Sequence, residues 1–413
     1  MNYSYEEVKE FIEQEDVKFV RLAFCDLKGN QKNMSISPSE LDRAFSDGIS
    51  FDASAIGDFG QVLKTDLVLR PVASTLNVLP WRPSRGKVVR LFCNIEYPDG
   101  TPFEIDTRKM LQDAVDEARK MGLTIELGTE FEFYLFKTDE NGDPTDIPFD
   151  NAGYMDVAPF DKGENIRREI CLTLIEMGIS PECSMHLDGP GQNQIVFRYA
   201  DAINAADNAV NFVSVVKAAA SHNGLYADFS PKPITNEPGN GLHINISVNP
   251  NKKYIDKYDV KDVKSTLEYN RMFMAGVIEH IREITVFLNT NEASYKRLGE
   301  HTAPKYVSWS KENRSQLLRV PEKRNDHKRF ELRSPDACLN PYLAFAMLIF
   351  AGLDGIKKET ELPEPLDINL NTAGKEVLEK LNRLPENYEE AVKLAKNSEF
   401  VKNHVNGGLL ELL

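Results

Sequence analysis

Hydrophobic positions recur along the chain with two different periods, which predict helices and strands in mixed order. Apolar residues three or four apart, or long apolar and alanine-rich runs, predict helices at residues 4–15, Ser37–Ser46, Arg108–Met121, Asn165–Met177, Ala202–His222, Thr266–Thr290 and Asn340–Lys357. Alternating, β-branched and aromatic runs predict strands at Val17–Cys25, Leu67–Leu69, Lys87–Asn94, Thr124–Lys137, Gly191–Tyr199, His243–Val248 and Phe330–Arg333. Because these elements are interspersed without regular βαβ spacing, the pattern favours an α+β fold over a doubly wound sheet.

Turn-forming and capping residues mark several boundaries. A turn follows Val17–Cys25, which predicts a hairpin, and Ser37 is the expected cap of a helix with Pro38 in its first turn. Tyr97–Pro102 is rich in turn residues, and a chain of 413 residues is too long for one ordinary core. We therefore predict two domains, residues 1–100 and 101–413.

Composition and charge narrow the class of protein. Hydrophobic residues make up 41% and charged residues 27%, which is typical of a soluble globular chain. The net charge of −15 would repel a polyanion, so no nucleic-acid partner is expected.

No membrane partner is expected either. The longest apolar run, Leu343–Leu353, is too short to span a bilayer, and the acidic N-terminus lacks the features of a signal peptide. Five scattered cysteines without a CxxC pair are typical of reduced thiols, so we predict a cytoplasmic protein.

The sharpest local motif is the pair of glutamates at positions 130 and 132. Residues two apart on a strand point to the same face, so Glu130 and Glu132 project together, with Phe131 and Phe133 on the other face. Adjacent carboxylates repel unless a cation lies between them, and Mg²⁺ or Mn²⁺ takes such oxygen ligands. The alternative is an exposed edge strand with its polar residues outward.

Two further motifs offer an imidazole and a set of guanidinium groups. Pro238–Ser247 is glycine-rich before His243, which opens an alternating strand and is either a metal ligand or a structural histidine. Six arginines lie between positions 297 and 333: Arg297, Arg314, Arg319, Arg324, Arg329 and Arg333. Glu331 shares a strand face with Arg329 and Arg333, which predicts either a salt-bridge ladder or a metal ligand between two anion clamps.

In this order, these segments resemble the glutamine synthetase family over nearly the whole chain. The matching blocks are Phe51–Ile56, Gly153–Tyr154, Lys232–Pro233, Gly239–His243, Asn291–Leu298, Ala303–Pro304, Trp309–Ser310, Asn313–Ser315, Arg319–Pro321, Arg329–Ser334 and Asn340–Ala344. The resemblance implies an N-terminal β-grasp domain and a C-terminal catalytic domain with a curved antiparallel sheet and helices, of the ATP-grasping, guanido-kinase-like half-barrel type.

The resemblance also implies an activity. ATP phosphorylates a carboxylate, and an amine then attacks the acyl phosphate, with Mg²⁺ or Mn²⁺ as cofactor and ATP as co-substrate. The small-molecule substrates would be ATP, glutamate or a similar acid, and an amine. Active sites in the family lie between subunits of stacked hexameric rings, so a homo-oligomer, a dodecamer, is expected.

Site residues follow by position from the same resemblance. The expected metal ligands are Glu130, Glu132, His243 and Glu331; the expected catalytic residues are Asp52, Arg314 and Arg333; Arg297, Gly239, Tyr154 and Arg319 are expected to bind substrates; and Ser247, Arg319 and Arg329 are expected to contact the nucleotide. Asp52 would serve the ammonium pocket of a neighbouring subunit, together with Tyr154.

The sequence departs from the family at the second metal site and at the flap. Leu187 and Gln194 occupy the positions of two metal-site glutamates, so only Glu132 remains there. In the flap, Thr302 stands where a glutamate closes the site, and Glu300 is a displaced substitute. A leucine in the amine pocket disfavours a small cation and suits an apolar group.

Three interpretations remain open. The first is an active ligase that uses an amine other than ammonium, and the second is a glutamine synthetase with a variant metal site. The third is a catalytically impaired homologue with a binding, regulatory or structural role.

Overall fold

The protein is described by a computed structural model that covers residues 3–59, 65–81, 86–321 and 329–413. Arg324 lies outside the described residues. Among the residues described, helices and strands are mixed as the sequence pattern predicts, and no helix is long and apolar enough to cross a membrane.

A small mixed sheet forms from the first part of the chain. Its strands are β1 (Val17–Cys25), β2 (Gln31–Ile36), β3 (Ile49–Asp52), β4 (Asp66–Pro71), β5 (Asn77–Val78) and β6 (Lys87–Glu96). The order is β2-β1-β6-β4-β3, with β5 also paired to β6. Strands β1 and β2 form the predicted antiparallel hairpin, whereas β1 and β6 are parallel.

A larger sheet follows and carries the candidate site. Its strands are β7 (Leu123–Thr138), β8 (Pro144–Pro148), β9 (Pro181–His186), β10 (Gln192–Phe197), β11 (Ala200–Asp201), β12 (Leu225–Asp228), β13 (Leu242–Pro250), β14 (Trp309–Lys311), β15 (Leu318–Val320) and β16 (Phe330–Leu332). Their order is β14-β15-β16-β13-β7-β10-β9, and β8, β11 and β12 also pair with β7. Within the described part of this larger sheet, only the β14–β15 pair is parallel.

Helices cover the sheets and build the core. They are α1 (Tyr5–Gln14), α2 (Leu41–Ser46), α3 (Thr107–Lys120), α4 (Glu164–Glu176), α5 (Ala202–His222), α6 (Lys252–Tyr258), α7 (Thr266–Leu288), α8 (Glu292–Arg297), α9 (Pro341–Lys357), α10 (Lys375–Leu378), α11 (Tyr388–Asn397), α12 (Glu399–His404) and α13 (Gly407–Glu411). Four short 3₁₀ turns complete the description: Pro38–Glu40, Ala53–Ala55, Gly57–Phe59 and Ala73–Thr75.

The alternation along β7 decides which side of the large sheet is apolar. Phe131 and Phe133 are buried on one face, where Phe131 packs against Phe212 of α5 with ring centroids 4.9 Å apart. Because side chains alternate along a strand, Glu130 and Glu132 point to the opposite face. The aromatic core therefore fixes which face of β7 presents its carboxylates.

Ser37 is the N-cap residue, with Pro38 in the first turn as predicted, but that turn is 3₁₀ and the serine hydroxyl does not cap it. A 3₁₀ turn, Pro38–Glu40, lies between Ser37 and α2, and the Ser37 side chain makes no capping hydrogen bond. Its hydroxyl oxygen instead lies 2.6 Å from that of Ser39. The serine and proline mark the start of a turn that precedes the helix.

Helices α7 and α9 cross where each carries a glycine. A Cβ added to Gly276 would overlap the carbonyl oxygen of Ala351 and lie 2.7 Å from the backbone nitrogen of Gly355. The close approach of the two backbones therefore requires residues without side chains at the crossing.

Replacing Gly276 with alanine should lower the free energy of unfolding by about 1–3 kcal/mol, because a methyl group in a packed crossing forces the helices apart. Chemical denaturation of the purified protein measures the change. Gly407→Ala is the matched control, since a Cβ there has nothing within 4 Å. Equal shifts in the two variants would contradict the proposed crowding.

Candidate active site

Strand register brings the sequence-predicted side chains together on one face of the large sheet. Glu130 of β7 lies directly opposite His243 of β13, and Glu132 lies opposite Gln194 of β10. Glu331 of β16 lies opposite Asn245, two residues along β13 from His243. Since residues two apart share a face, the register alone gathers an acidic and imidazole-bearing surface.

Three of these side chains form a compact cluster around the His243 ring. One ligand atom each from Glu130, His243 and Glu331 lies within 4.8 Å of the others. The His243 Nδ1 atom is 3.6 Å from Glu130 Oε2 and 3.5 Å from Glu331 Oε1. On the other side of the ring, Nε2 is 3.9 Å from Glu132 Oε1.

The cluster fits a divalent cation. His243 Nδ1 is buried yet has no hydrogen-bond partner, which is costly for a polar atom unless a ligand occupies the space in front of it. Carboxylate oxygens beside one imidazole nitrogen are ligands that Mn²⁺ and Mg²⁺ accept. Glu130, His243 and Glu331 are therefore the residues that would hold such an ion.

Electrostatics keep the carboxylates of the cluster ionised. Burial alone would raise the pKa of Glu331, but Arg333, His243 and Arg319 outweigh it and lower that pKa to about 2. Burial also acts to raise the pKa of Glu130, but the neighbouring His243 outweighs it and lowers that pKa overall. Both groups are thus ready to bind a cation at neutral pH.

The sequence left open whether the arginines near Glu331 form a salt-bridge ladder or clamp an anion, and they do not all behave alike. Arg333 and Arg319 form ion pairs with Glu331, the latter at 2.8 Å, so they make a salt-bridge ladder across β15 and β16. Arg329 does not join the ladder; its Nη1 donates to the Tyr199 hydroxyl at 2.8 Å. Glu331 therefore belongs both to the ladder and to the acidic cluster.

Arg297 lies beneath the glycine-rich segment. It is 3% exposed, and its guanidinium donates to the carbonyl oxygens of Ser334 and Arg333 at 2.9 and 3.4 Å. A Cβ at Gly239 would overlap the Pro231 carbonyl oxygen and lie 2.9 Å from Arg297 Cγ. Burial lowers the pKa of Arg297 from its usual value, although nearby Glu132 acts in the opposite direction.

A cleft of about 250 Å³ opens beside Glu130, at the edge of the cluster. One side carries charge, from Glu130 and the two arginines at positions 314 and 329. The side formed by β9 and β10 is mostly uncharged, with Cys183, Met185, Gln194 and Val196 among its lining residues, and its one carboxylate is the exposed Glu182. Tyr154, which is 53% exposed, also lines the cleft.

The family resemblance places two glutamates at the positions of Leu187 and Gln194, and of these Gln194 lies directly beside Glu132. Gln194 faces Glu132 across the β7–β10 pair and is 7% exposed. Leu187 follows β9, and its backbone nitrogen donates to the Gln192 carbonyl oxygen at 2.9 Å. Glu132 Oε2 already accepts a hydrogen bond of 2.6 Å from the backbone nitrogen of Gly241. The second half of the site thus has one carboxylate, which is partly satisfied by the backbone.

Two other sequence-predicted residues lie apart from the cluster. Asp52 is exposed at the end of β3 in the small sheet, where its side chain accepts from the backbone nitrogen of Ser54 at 2.9 Å. Ser247 lies four residues beyond His243 on β13, and Asn249 Nδ2 donates to its hydroxyl at 3.1 Å. The single chain therefore does not bring Asp52 to the strands that carry the carboxylates.

The substitute carboxylate proposed for the flap is engaged elsewhere. Glu300 forms an ion pair with the buried ammonium group of Lys232, which also donates to the Glu237 carbonyl oxygen at 2.8 Å. Thr302 is exposed. This arrangement ties the loop after α8 to the glycine-rich segment.

Sequence reasoning missed two residues that complete the site. Asn245 Nδ2 donates to Glu130 Oε1 at 2.9 Å, and Tyr199 accepts from Arg329. The alternation of β13 was a signal for Asn245, since it shares a face with His243. Tyr199 had no local signal; it lies over Gly128, where a Cβ would come within 3.2–3.3 Å of its ring atoms.

If Arg329 contacts a nucleotide, as the family resemblance implies, Tyr199→Phe should raise the KM for that nucleotide by about tenfold, because removing the hydroxyl leaves a partly buried charged donor without its acceptor. Steady-state kinetics with varied ATP measure the effect. Tyr226→Phe, at a tyrosine of β12 that is 39% exposed, serves as the control. An unchanged KM in Tyr199→Phe would show that the orientation of Arg329 does not affect nucleotide binding.

Comparison with protein families matches both parts of the chain. The model for the glutamine synthetase catalytic domain matches residues 104–411, and that for the glutamine synthetase beta-Grasp domain matches residues 16–98. These matches confirm the predicted N-terminal β-grasp domain and C-terminal catalytic domain.

Individual relatives cover almost the whole chain. Glutamine synthetase of Methanosarcina mazei is 42% identical over 401 residues, which are 96% of this chain and 89% of the relative. Glutamine synthetase of Clostridium saccharobutylicum is 41% identical over 414 residues, covering 98% and 93%. The solved structure of GmaS in complex with ADP superposes with a TM-score of 0.87 at 26% identity, covering 100% of this chain and 94% of GmaS.

The two-domain fold, the acidic cluster with its arginines and these matches define an ATP-dependent carbon–nitrogen ligase. The chain belongs to the glutamine synthetase family.

Proposed function

We propose that the chain is an active ligase that phosphorylates the carboxylate of glutamate or a similar acid and joins it to an amine other than ammonium. The single observation that carries the catalytic part is the convergence of Glu130, His243 and Glu331 around a buried nitrogen without a hydrogen-bond partner. A purely structural protein has no need of that arrangement. Binding of ADP by GmaS supports a nucleotide site in the same fold.

Each charged group has a role in this proposal. A Mg²⁺ or Mn²⁺ ion held by Glu130, His243 and Glu331 would neutralise phosphate charge during transfer. Arg314 and Arg329 line the cleft and would bind phosphoryl oxygens. Arg319 and Arg333 hold the Glu331 carboxylate in place, so that its oxygens remain directed towards His243.

The proposed amine follows from the mostly uncharged side of the cleft that β9 and β10 form. Ammonium is a small cation that needs anionic neighbours, whereas Gln194, Met185 and Val196 offer none, and Glu182, the carboxylate on this side, is exposed to solvent. Leu187 adds an apolar side chain where a carboxylate would otherwise bind a cation. An amine with an organic substituent buries apolar surface there and gains the free energy that ammonium lacks.

Assembly enters the proposal through Asp52. Its carboxylate is exposed on the small sheet, and it would reach an active site if a second copy of the chain lies alongside. We therefore propose a homo-oligomer with sites between subunits. A cytoplasmic location agrees with five cysteines that are all unpaired.

A second candidate is a homologue that binds nucleotide without turnover. It is favoured by the ion pairs that occupy Glu331 and by the backbone hydrogen bond to Glu132, since both oppose entry of a metal ion. In that case the arginines of the cleft would bind a nucleotide as a regulatory ligand.

The test is phosphate release from ATP by the purified chain with Mg²⁺ or Mn²⁺, glutamate and a panel of amines. The proposal expects turnover with an organic amine, formation of the corresponding amide and little turnover with ammonium. Turnover with ammonium alone would support an ordinary glutamine synthetase. Nucleotide binding without phosphate release under every condition would support the second candidate, and a chelator provides the control.

A further inference from the structure

A second buried group of charges lies behind the hairpin of β9 and β10. Its members are Asp150, Asp161, Arg167 and His186, all at most 7% exposed. None of them lines the cleft. The group joins the loop that carries Tyr154 to the turn that carries Leu187, so its geometry affects both sides of the proposed amine pocket.

Both ring nitrogens of His186 face groups that can only accept hydrogen bonds. Nδ1 lies 2.6 Å from the carbonyl oxygen of Leu187, and Nε2 lies 2.9 Å from Asp150 Oδ1. A carbonyl oxygen has no proton to donate. A neutral imidazole has only one N–H, so it could satisfy only one of the two contacts.

The alternative of a protonated Asp150 does not fit its surroundings. Three backbone N–H groups donate to this carboxylate, from Gly191 and Lys162 at 2.9 Å and from Ala152 at 3.5 Å. Hydrogen bonds of this kind stabilise the ionised form of a carboxyl group. The proton between Asp150 and His186 therefore belongs to the ring.

The balance of buried charge leads to the same result. Asp161 lies within 4.8 Å of His186 and Asp150 and is paired with Arg167, which also donates to Asn193 of β10 at 2.5 Å. Two carboxylates and one guanidinium leave one negative charge uncompensated in this interior. An imidazolium at His186 makes the group neutral, as burial of charges requires.

We propose that His186 is a positioning residue that remains an imidazolium at neutral pH and fixes the turn of residues 187–192. Its ring holds the Leu187 carbonyl, and Asp150 holds Gly191 at the other end of the same turn. The backbone carbonyl oxygen of His186 accepts a hydrogen bond of 3.0 Å from the backbone nitrogen of Met155, which connects the turn to the segment beside Tyr154.

This positioning role rests on the proposed function only where the amine is concerned. With the turn fixed, Leu187 and Gln194 each keep one arrangement, and Gln194 keeps its place beside Glu132. Without the His186 contacts, the wall of the amine pocket would take several arrangements. The nucleotide side is built on β13, β15 and β16, so its structure would not change.

A neutron structure of the unmodified protein tests the protonation state without any assay. We expect deuterium on both ring nitrogens of His186 at neutral pH. Density on one nitrogen alone, or a deuterium on the Asp150 carboxylate, would overturn the proposal. This result does not depend on whether the chain is an active ligase.

Kinetics of His186→Gln test the positioning role. A glutamine side chain cannot donate hydrogen bonds to both acceptors across the same distance, so the KM for the amine should rise. The expected rise is about tenfold, at the low end of the effects seen when a residue that orients a binding group is replaced. The KM for ATP should stay unchanged. Unchanged amine kinetics in the folded variant would refute the role, and so would an equal loss in every parameter.

A matched control exists on the helical side of the molecule. His280 of α7 is also buried and also faces two acidic groups, Glu283 at 3.1 Å and Asp354 at 2.7 Å. His280→Gln should leave both KM values unchanged. Asp150→Asn keeps the shape of its side chain and is the second variant if His186→Gln fails to fold; it should reproduce the higher KM for the amine, and unchanged values would count against the role.

Discussion

His243→Ala is expected to abolish tight binding of Mn²⁺ and to lower ligase turnover by roughly 10³-fold, since loss of metal assistance removes several kcal/mol of transition-state stabilisation. The imidazole is the one nitrogen ligand in the cluster, and Glu130 and Glu331 lie on either side of its Nδ1 atom. Two carboxylates that belong to different strands would remain, without the group that joins them.

The variant should nevertheless fold. His243 Nδ1 has no hydrogen-bond partner, so its removal leaves no donor or acceptor newly unsatisfied at that atom. Because His243 is a main cause of the lowered pKa of Glu130, that carboxyl group should become easier to protonate in the variant. Isothermal titration with Mn²⁺ and the rate of phosphate release measure the two effects separately.

His222→Ala is the control for this experiment, at an exposed histidine in the last turn of α5. It should bind Mn²⁺ and turn over as the unmodified chain does. If His243→Ala bound Mn²⁺ with unchanged affinity, the cluster would be a structural feature of the sheet, and the catalytic proposal would lose its main support.

Local pattern was sufficient to predict the longest strands and helices. Strand β1 and helix α5 have the predicted ends, and the alternation of β7 correctly placed Glu130 and Glu132 on one face. These three elements are long and strongly patterned, so the period of their apolar residues is easy to recognise. Strands β14 and β15, each three residues long, were not predicted, because so short a segment has no measurable period.

Partners across the sheet lay beyond what the sequence pattern could predict. That Glu130 faces His243 is a matter of register between strands more than 100 residues apart, which no local period contains. The family resemblance supplied the grouping of Glu130, His243 and Glu331. It could not indicate that Arg333 and Arg319 pair with Glu331 while Arg329 turns to Tyr199.

The histidine behind the hairpin shows the same limit. In the sequence, His186 is a lone histidine next to Leu187, which occupies the position of a metal-site glutamate in the family. A lone histidine is more often structural. Its protonation is decided by Asp150 and by a backbone carbonyl, and Asp150 lies in a different segment. Function at this position depends on tertiary contacts that only the folded chain provides.

Leu187→Glu combined with Gln194→Glu should create a second metal site and raise ammonium-dependent turnover by about tenfold or more, the scale on which groups around a metal change its affinity. Gln194 faces Glu132 directly, so a glutamate there places two carboxylates side by side. Adjacent carboxylates repel unless a cation lies between them. The double variant should therefore be less stable in a chelator and regain stability when Mn²⁺ is added.

The measurements are the number of Mn²⁺ ions bound per chain and the turnover with ammonium and with the preferred organic amine. Leu187→Gln is the control, because it adds a polar side chain without charge. We expect the double variant to lose activity with the organic amine as it gains activity with ammonium, since one pocket cannot favour both an apolar substituent and a small cation. A second ion without any gain in ammonium turnover would separate metal binding from amine choice, and the specificity would then lie with Met185, Val196 and the other neutral residues of the cleft.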